Sequence, residues 1–260
     1  MDISQWFDEN EKPLECLLPD GGFCGIFRTI GCVGDSLSSG EFQTKKADGT
    51  WRFTDMYEYS WGQFIARTIG SKVYNFSKGG MTAKNYVTKF AEEKGFWDPE
   101  LACQAYIIAL GVNDRNEKLC PIGDENDVSA DGANYADTFA GHYCEIIRRL
   151  KKIQPNAKFF LMTAPKNLDP ERNEKIARIA KIIYKVAETF SNCYVMDFYQ
   201  YAPVIDPLYK EKFWLNGHMN PLGYVLSAKQ ILSYMDYIIR HNVKDFELVG
   251  FIGKEHILED

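Results

Sequence analysis

Three short apolar runs, each closing on a polar turn that contains glycine, constrain this chain more than any other feature. Residues 27–34 run into Asp35-Ser36, residues 72–77 into Lys78-Gly79-Gly80, and residues 105–110 into Gly111-Val112-Asn113-Asp114. The run Ala105-Tyr106-Ile107-Ile108-Ala109-Leu110 has no polar alternation, which suits a strand buried on both faces in the centre of a parallel sheet. Between and after these runs, apolar residues recur at three-to-four spacing. They predict helices over 57–69, around Tyr86-Val87-Phe90, over 132–153, from Pro170 through Phe190, and over 221–240. Two further strands are expected at 158–162 and 194–198, and an edge strand around residues 248–252. Strands alternating with helices define an α/β fold, a three-layer sandwich around a central, mostly parallel sheet.

The bulk numbers narrow the class of partner. With 260 residues, 45% hydrophobic, the chain suits one large domain, expected over 27–242, with an N-terminal extension at 1–26 and a tail at 243–260 on the same domain. A net charge of −6 argues against a nucleic-acid groove. No basic segment leads into an apolar stretch at the start, and no run approaches the roughly 20 residues needed to span a bilayer. The seven cysteines lack metal-ligand spacing. Cys32, Cys103 and Cys193 lie in apolar runs and are expected as buried thiols, so the expectation is a reduced, cytoplasmic protein without cofactor or metal. Residues 39–56 read as a loop, whose Trp51 and Phe53 either wall a pocket or anchor it to the core.

In an open parallel sheet the carboxyl ends of the strands lie along one rim, where ligands bind. Ser36, Gly80 and Asn113 sit at three such ends, and His218 follows the fifth strand. Together they offer a hydroxyl nucleophile, a general base, backbone N–H groups and an amide N–H₂, the inventory acyl transfer needs. Asp35 reads as a turn stabiliser, and His142, His241 and His256 as surface histidines. There is no G-x-S-x-G elbow, no G-x-G-x-x-G turn and no phosphate-binding loop.

The four blocks Gly34-Asp35-Ser36-Leu37, Gly79-Gly80-Met81-Thr82, Gly111-Val112-Asn113-Asp114 and His218-Met219-Asn220-Pro221 resemble, in this order, those of the GDSL esterases, or SGNH hydrolases, over roughly 28–240. The resemblance implies a flavodoxin-like sheet of about five strands and metal-free ester hydrolysis. Ser36 would then be the nucleophile and His218 the base, with the Ser36 and Gly80 N–H groups and the Asn113 amide forming the oxyanion hole. The chain departs from the family where an Asp usually precedes the His by three residues, because Leu215 stands there. Support for His218 is therefore expected from the backbone carbonyl of Leu215, or from Asp206, with the Asn216 side chain a weaker choice. The expected function is a serine ester hydrolase acting through an acyl-enzyme on a small-molecule or carbohydrate ester. The polar, aromatic-bearing segment 41–56 inclines it toward a short acyl group such as O-acetyl on a sugar. The alternative is a degenerate esterase that binds acyl or sugar ligands.

Overall fold

The computed structural model describes residues 3–4, 7–8, 10–133 and 135–254. Among these residues the strands are β1 (Thr29–Gly34), β2 (Glu41–Lys45), β3 (Trp51–Asp55), β4 (Lys72–Ser77), β5 (Ala105–Ala109), β6 (Lys158–Met162), β7 (Cys193–Met196), β8 (Trp214–Leu215) and β9 (His218–Met219). β1 and β4 to β7 form one parallel sheet in the order β4-β1-β5-β6-β7. Counting only its own strands, that order is 2-1-3-4-5, the flavodoxin-like winding, whose direction reverses between β1 and β5.

Strand alternation divides the core. Val33, Phe76, Tyr106, Ile108, Phe159 and Leu161 face the layer built by the helices Phe139–Ile153 and Pro170–Thr189. Ile30, Cys32, Ile107 and Phe160 face Trp61–Ile69 and Pro221–His241. Both faces are covered, which is why the strands read as continuous apolar runs. Gly31 is required by this packing, because a Cβ there would lie 2.7 Å from the Tyr106 ring and 2.8 Å from Phe76. Strand register aligns the loops at the sheet's carboxyl rim. Gly34 of β1 is level with Ser77 of β4 and Ala109 of β5, so the three turns beyond them emerge side by side.

Four expectations are corrected. Residues 39–56 are not a loop: β2 and β3 pair as an antiparallel hairpin, closed by a turn in which Asp48 accepts from the Thr50 N–H and hydroxyl. Most of its side chains are exposed or half-exposed and only Phe42 is buried, so no apolar alternation marks it. The helix expected over 132–153 begins at Phe139, where the Thr138 hydroxyl accepts from the Gly141 N–H. The apolar stripe misled because Tyr135 packs edge-on against His142 from the preceding loop. In place of an edge strand near 248–252 there is a 3₁₀ turn, Val249–Phe251, whose Val249 carbonyl accepts from the buried Gln104 amide. His142 is not on the surface: it is buried and bonded through Nε2 to Asp137 at 2.8 Å. His256 lies outside the described residues.

The N-terminal segment packs on the last long helix. Cys24 Sγ donates to the Leu232 carbonyl, and the Phe23 N–H to Asp236. No helix of the described residues is long and apolar enough to cross a membrane.

Candidate active site

Ser36 opens a single helical turn, Ser36–Ser39, directly beyond β1. Asp35, extended and buried, caps that turn by accepting the Leu37 N–H at 3.0 Å. The Ser38 and Ser39 N–H groups both donate to the Asp35 carbonyl, so Ser36 sits at the capped start of the turn. Gly34 has no room for a side chain, since a Cβ would lie 2.1 Å from Ser38 Oγ. Gly80 takes φ +75°, a left-handed conformation that glycine adopts without strain, and it turns the chain at the end of β4.

Asn113 braces these turns together. Its Nδ2 donates to the Met81 carbonyl at 3.0 Å and lies 3.4 Å from Asp35 Oδ2, while Asp114 accepts the Ala83 N–H at 2.8 Å. Burial pushes the Asp35 carboxyl up to about 6 and that of Asp114 up to about 7.

His218 comes from a different construction. β8 and β9 form a two-residue hairpin in which Leu215 faces His218 across the pair, and Asn216 turns it at φ +58°. The β2–β3 hairpin clamps this turn: the Gln43 side chain accepts the Gly217 N–H at 2.7 Å, and the Gln43 carbonyl accepts from Asn216 at 2.8 Å. Phe53 sets its ring edge-on to His218 with centroids 5.9 Å apart, whereas Trp51 lies out on the hairpin under Lys45.

The contact that sequence reasoning missed is Glu41. Its Oε1 lies 3.0 Å from His218 Nε2, and both side chains are largely buried. The buried Tyr224 hydroxyl donates to the Glu41 carbonyl at 2.7 Å and holds the residue in place. The other ring nitrogen, Nδ1, is buried and makes no hydrogen bond, so neither the Leu215 carbonyl nor the Ser36 hydroxyl engages it. Asp206 is occupied elsewhere: its carboxylate caps the helix Pro207–Phe213 by accepting the Tyr209 N–H. Burial lowers the His218 pKa, opposed in part by the Asp55 carboxylate, and raises that of Glu41, to which Asp55 adds. His218 is therefore favoured as the neutral imidazole.

Ser36, Asn113 and His218 line one cavity of about 500 Å³, walled by apolar groups that include Trp61, Met162, Phe198 and Ile231. Gly80 and Asn113 also line an adjoining cleft of about 450 Å³. A largely buried histidine and a hydroxyl at a helix start line one cavity, with a glycine turn and a side-chain amide beside it, and these are groups that acyl transfer can use. For a metal, the grouping among the described residues is Cys120, Asp137 and His142. There the Lys84 ammonium already lies 2.7 Å from Asp137, which accounts for the charge without an ion.

A three-layer α/β sandwich with a serine at the end of its first strand and a histidine before its last long helix defines a class of hydrolase fold. The chain belongs to the GDSL-like lipase/acylhydrolase family, whose model matches residues 32–226. Among solved structures it is similar to a family two carbohydrate esterase from Clostridium thermocellum, at 16% identity and TM-score 0.56, over 90% of this chain and 66% of that one. It is similar to a carbohydrate acetylesterase from Sinorhizobium meliloti at 13% identity and TM-score 0.53, over 81% and 99% of the two chains. A lipase/acylhydrolase from Enterococcus faecalis gives 19% identity and TM-score 0.53, over 81% and 96%. At these identities the likeness is one of fold. No protein of curated function matches the sequence.

Proposed function

We propose that this protein is a serine ester hydrolase that removes a short acyl group, foremost an O-acetyl on a carbohydrate, through an acyl-enzyme on Ser36. The observation that carries the reading is the level register of β4, β1 and β5, which sets the Ser36, Gly80 and Asn113 turns side by side, with His218 on the same cavity as Ser36 and Asn113. In this reading Ser36 Oγ attacks the ester carbonyl carbon as its proton passes to the imidazole nitrogen not held by Glu41. The Ser36 and Gly80 N–H groups and the Asn113 amide receive the oxyanion. The alcohol departs with the proton from His218, and water, activated by the same base, releases the acid and restores Ser36. Glu41 takes the place of the usual aspartate by fixing the imidazole tautomer and stabilising its charged form. The short acyl group and the carbohydrate rest on the polar hairpin beside His218 and on neighbours described as carbohydrate esterases.

The test is a screen of p-nitrophenyl esters from acetyl to palmitoyl, beside acetylated sugars. Hydrolysis that is fastest for acetyl and lost in Ser36→Ala is the expected result. A preference for long chains overturns the short-acyl assignment, and undiminished turnover by Ser36→Ala overturns the nucleophile.

A further inference from the structure

Two arginines reach the cavity lined by Ser36 and His218 without forming a salt bridge, although Arg115 feels the Asp35 carboxylate and Arg172 that of Asp169. Arg115 stands two residues beyond Asn113, and Arg172 lies in the first turn of the helix Pro170–Thr189. Both are half-buried, and both line the cavity that holds Ser36 and His218 as well as the cleft that holds Gly80. Each is fixed by one hydrogen bond to the backbone: Arg115 Nη1 donates to the Val112 carbonyl at 2.6 Å, and Arg172 Nη1 to that of Pro165 at 3.1 Å. Among the described residues neither forms an ion pair, and nor do the exposed Arg28, Arg52 and Arg67, whereas Arg148, Arg149, Arg178 and Arg240 are paired.

The acids nearby do not fill this role. Asp169 lines both spaces, but its Oδ1 is engaged in capping the helix through the Arg172 N–H. Glu171, on the outer cleft, pairs with Lys175 at 3.1 Å. Burial and the charge of Arg115 both work against the charge on Arg172, and the Asp169 carboxylate offsets them only in part. Holding two guanidiniums together at a partly desolvated wall is unfavourable unless an anion joins them. Their planar forks suit a carboxylate or phosphate, each offering paired oxygens to parallel N–H donors. Since the whole chain carries a net charge of −6, the attraction is local to this wall and does not come from the molecule's overall field.

We propose that Arg115 and Arg172 form an anion subsite beside the oxyanion hole, and that the alcohol component of the ester substrate carries a carboxylate or a phosphate. The inference rests on the ester-hydrolase reading and narrows its substrate: the acyl group is short and neutral, so the charge belongs to the alcohol.

The experiment compares kcat/KM for 4-acetoxybenzoate, 4-acetoxyphenyl phosphate and the neutral methyl 4-acetoxybenzoate, in wild type and in the double variant Arg115→Gln/Arg172→Gln. The anionic-to-neutral ratio is expected to fall by about tenfold or more in the variant, the scale of one lost charged hydrogen-bonded contact. Arg172→Lys should retain part of the preference. Whichever anionic ester loses more identifies carboxylate or phosphate as the recognised group. A ratio changed less than twofold for both anions, in a variant with wild-type circular dichroism, overturns the subsite while leaving the hydrolase reading intact. If no ester is turned over and Ser36 resists a fluorophosphonate, the hydrolase reading fails separately. Calorimetric titration with 4-hydroxybenzoate and phenyl phosphate then decides the subsite: binding that the double variant loses supports it, and no binding to wild type overturns it.

Discussion

With a carboxylate 3.0 Å from His218 Nε2, the buried and unbonded Nδ1 is the nitrogen that the proposed mechanism needs to take the Ser36 proton. Glu41→Gln keeps the shape and removes the charge. We expect kcat to fall by roughly a hundredfold or more, approaching the ten-thousandfold seen when a triad carboxylate is neutralised. A second readout separates this from a merely structural role. Burial holds the His218 pKa below its ordinary value, so the acid limb of the kcat/KM profile should have its midpoint below about 6.5. Removing a neighbouring negative charge disfavours the imidazolium, so in Glu41→Gln that limb should move to still lower pH. A limb that stays put would assign Glu41 to packing alone. The four residues matched by family block order were readable from the chain because each follows or faces a strand end. Glu41 was not, because it meets His218 only through the placement of β2, and no spacing relative to the histidine marks it.

At the scale of elements, the β2–β3 hairpin joins the Ser36 turn to the His218 turn. It begins at Glu41, directly after Gly40 caps the Ser36 turn, and carries the Glu41, Gln43 and Phe53 that hold His218 and its turn. Its far side meets the glycine turn after β4: a Cβ on Gly79 would lie 2.3 Å from Glu41 Oε2. Gly79→Ala should therefore displace the Glu41 carboxylate and lower kcat while the protein stays folded. In a Glu41→Ala background the same change should cost little more, and a double-mutant cycle on kcat reads the coupling. Fully additive losses would show that Gly79 acts through something other than Glu41. The central strands were legible because burial on both faces leaves continuous apolar runs. The hairpin was not, because its solvent-facing residues carry no such pattern and its energetics lie in polar contacts to distant loops.

For the whole molecule, the parallel sheet sets the price of the site in buried charge. Asp35 and Asp114, pushed up to about 6 and about 7, hold protons in the folded state that the unfolded chain releases near the ordinary carboxylate value of 3.8. Between these values the folded state binds more protons, so their contribution to stability falls as pH rises from about 4 to about 7 and is constant above. Each group contributes a slope of at most about 1.4 kcal/mol per pH unit, and the two contributions add while both are protonated only in the folded state. Asp114→Asn keeps an oxygen for the Ala83 N–H and removes the charge. It should raise Tm relative to wild type more at pH 8 than at pH 5, and equal shifts at both would contradict the assignment. The most direct test of the central claim, that the sheet register assembles an activated Ser36 beside a working His218, is labelling by a fluorophosphonate followed by peptide mass spectrometry. One adduct is expected, on Ser36, formed rapidly in wild type and slowed by several orders of magnitude in His218→Ala; an unlabelled Ser36, or equal labelling without His218, would contradict this.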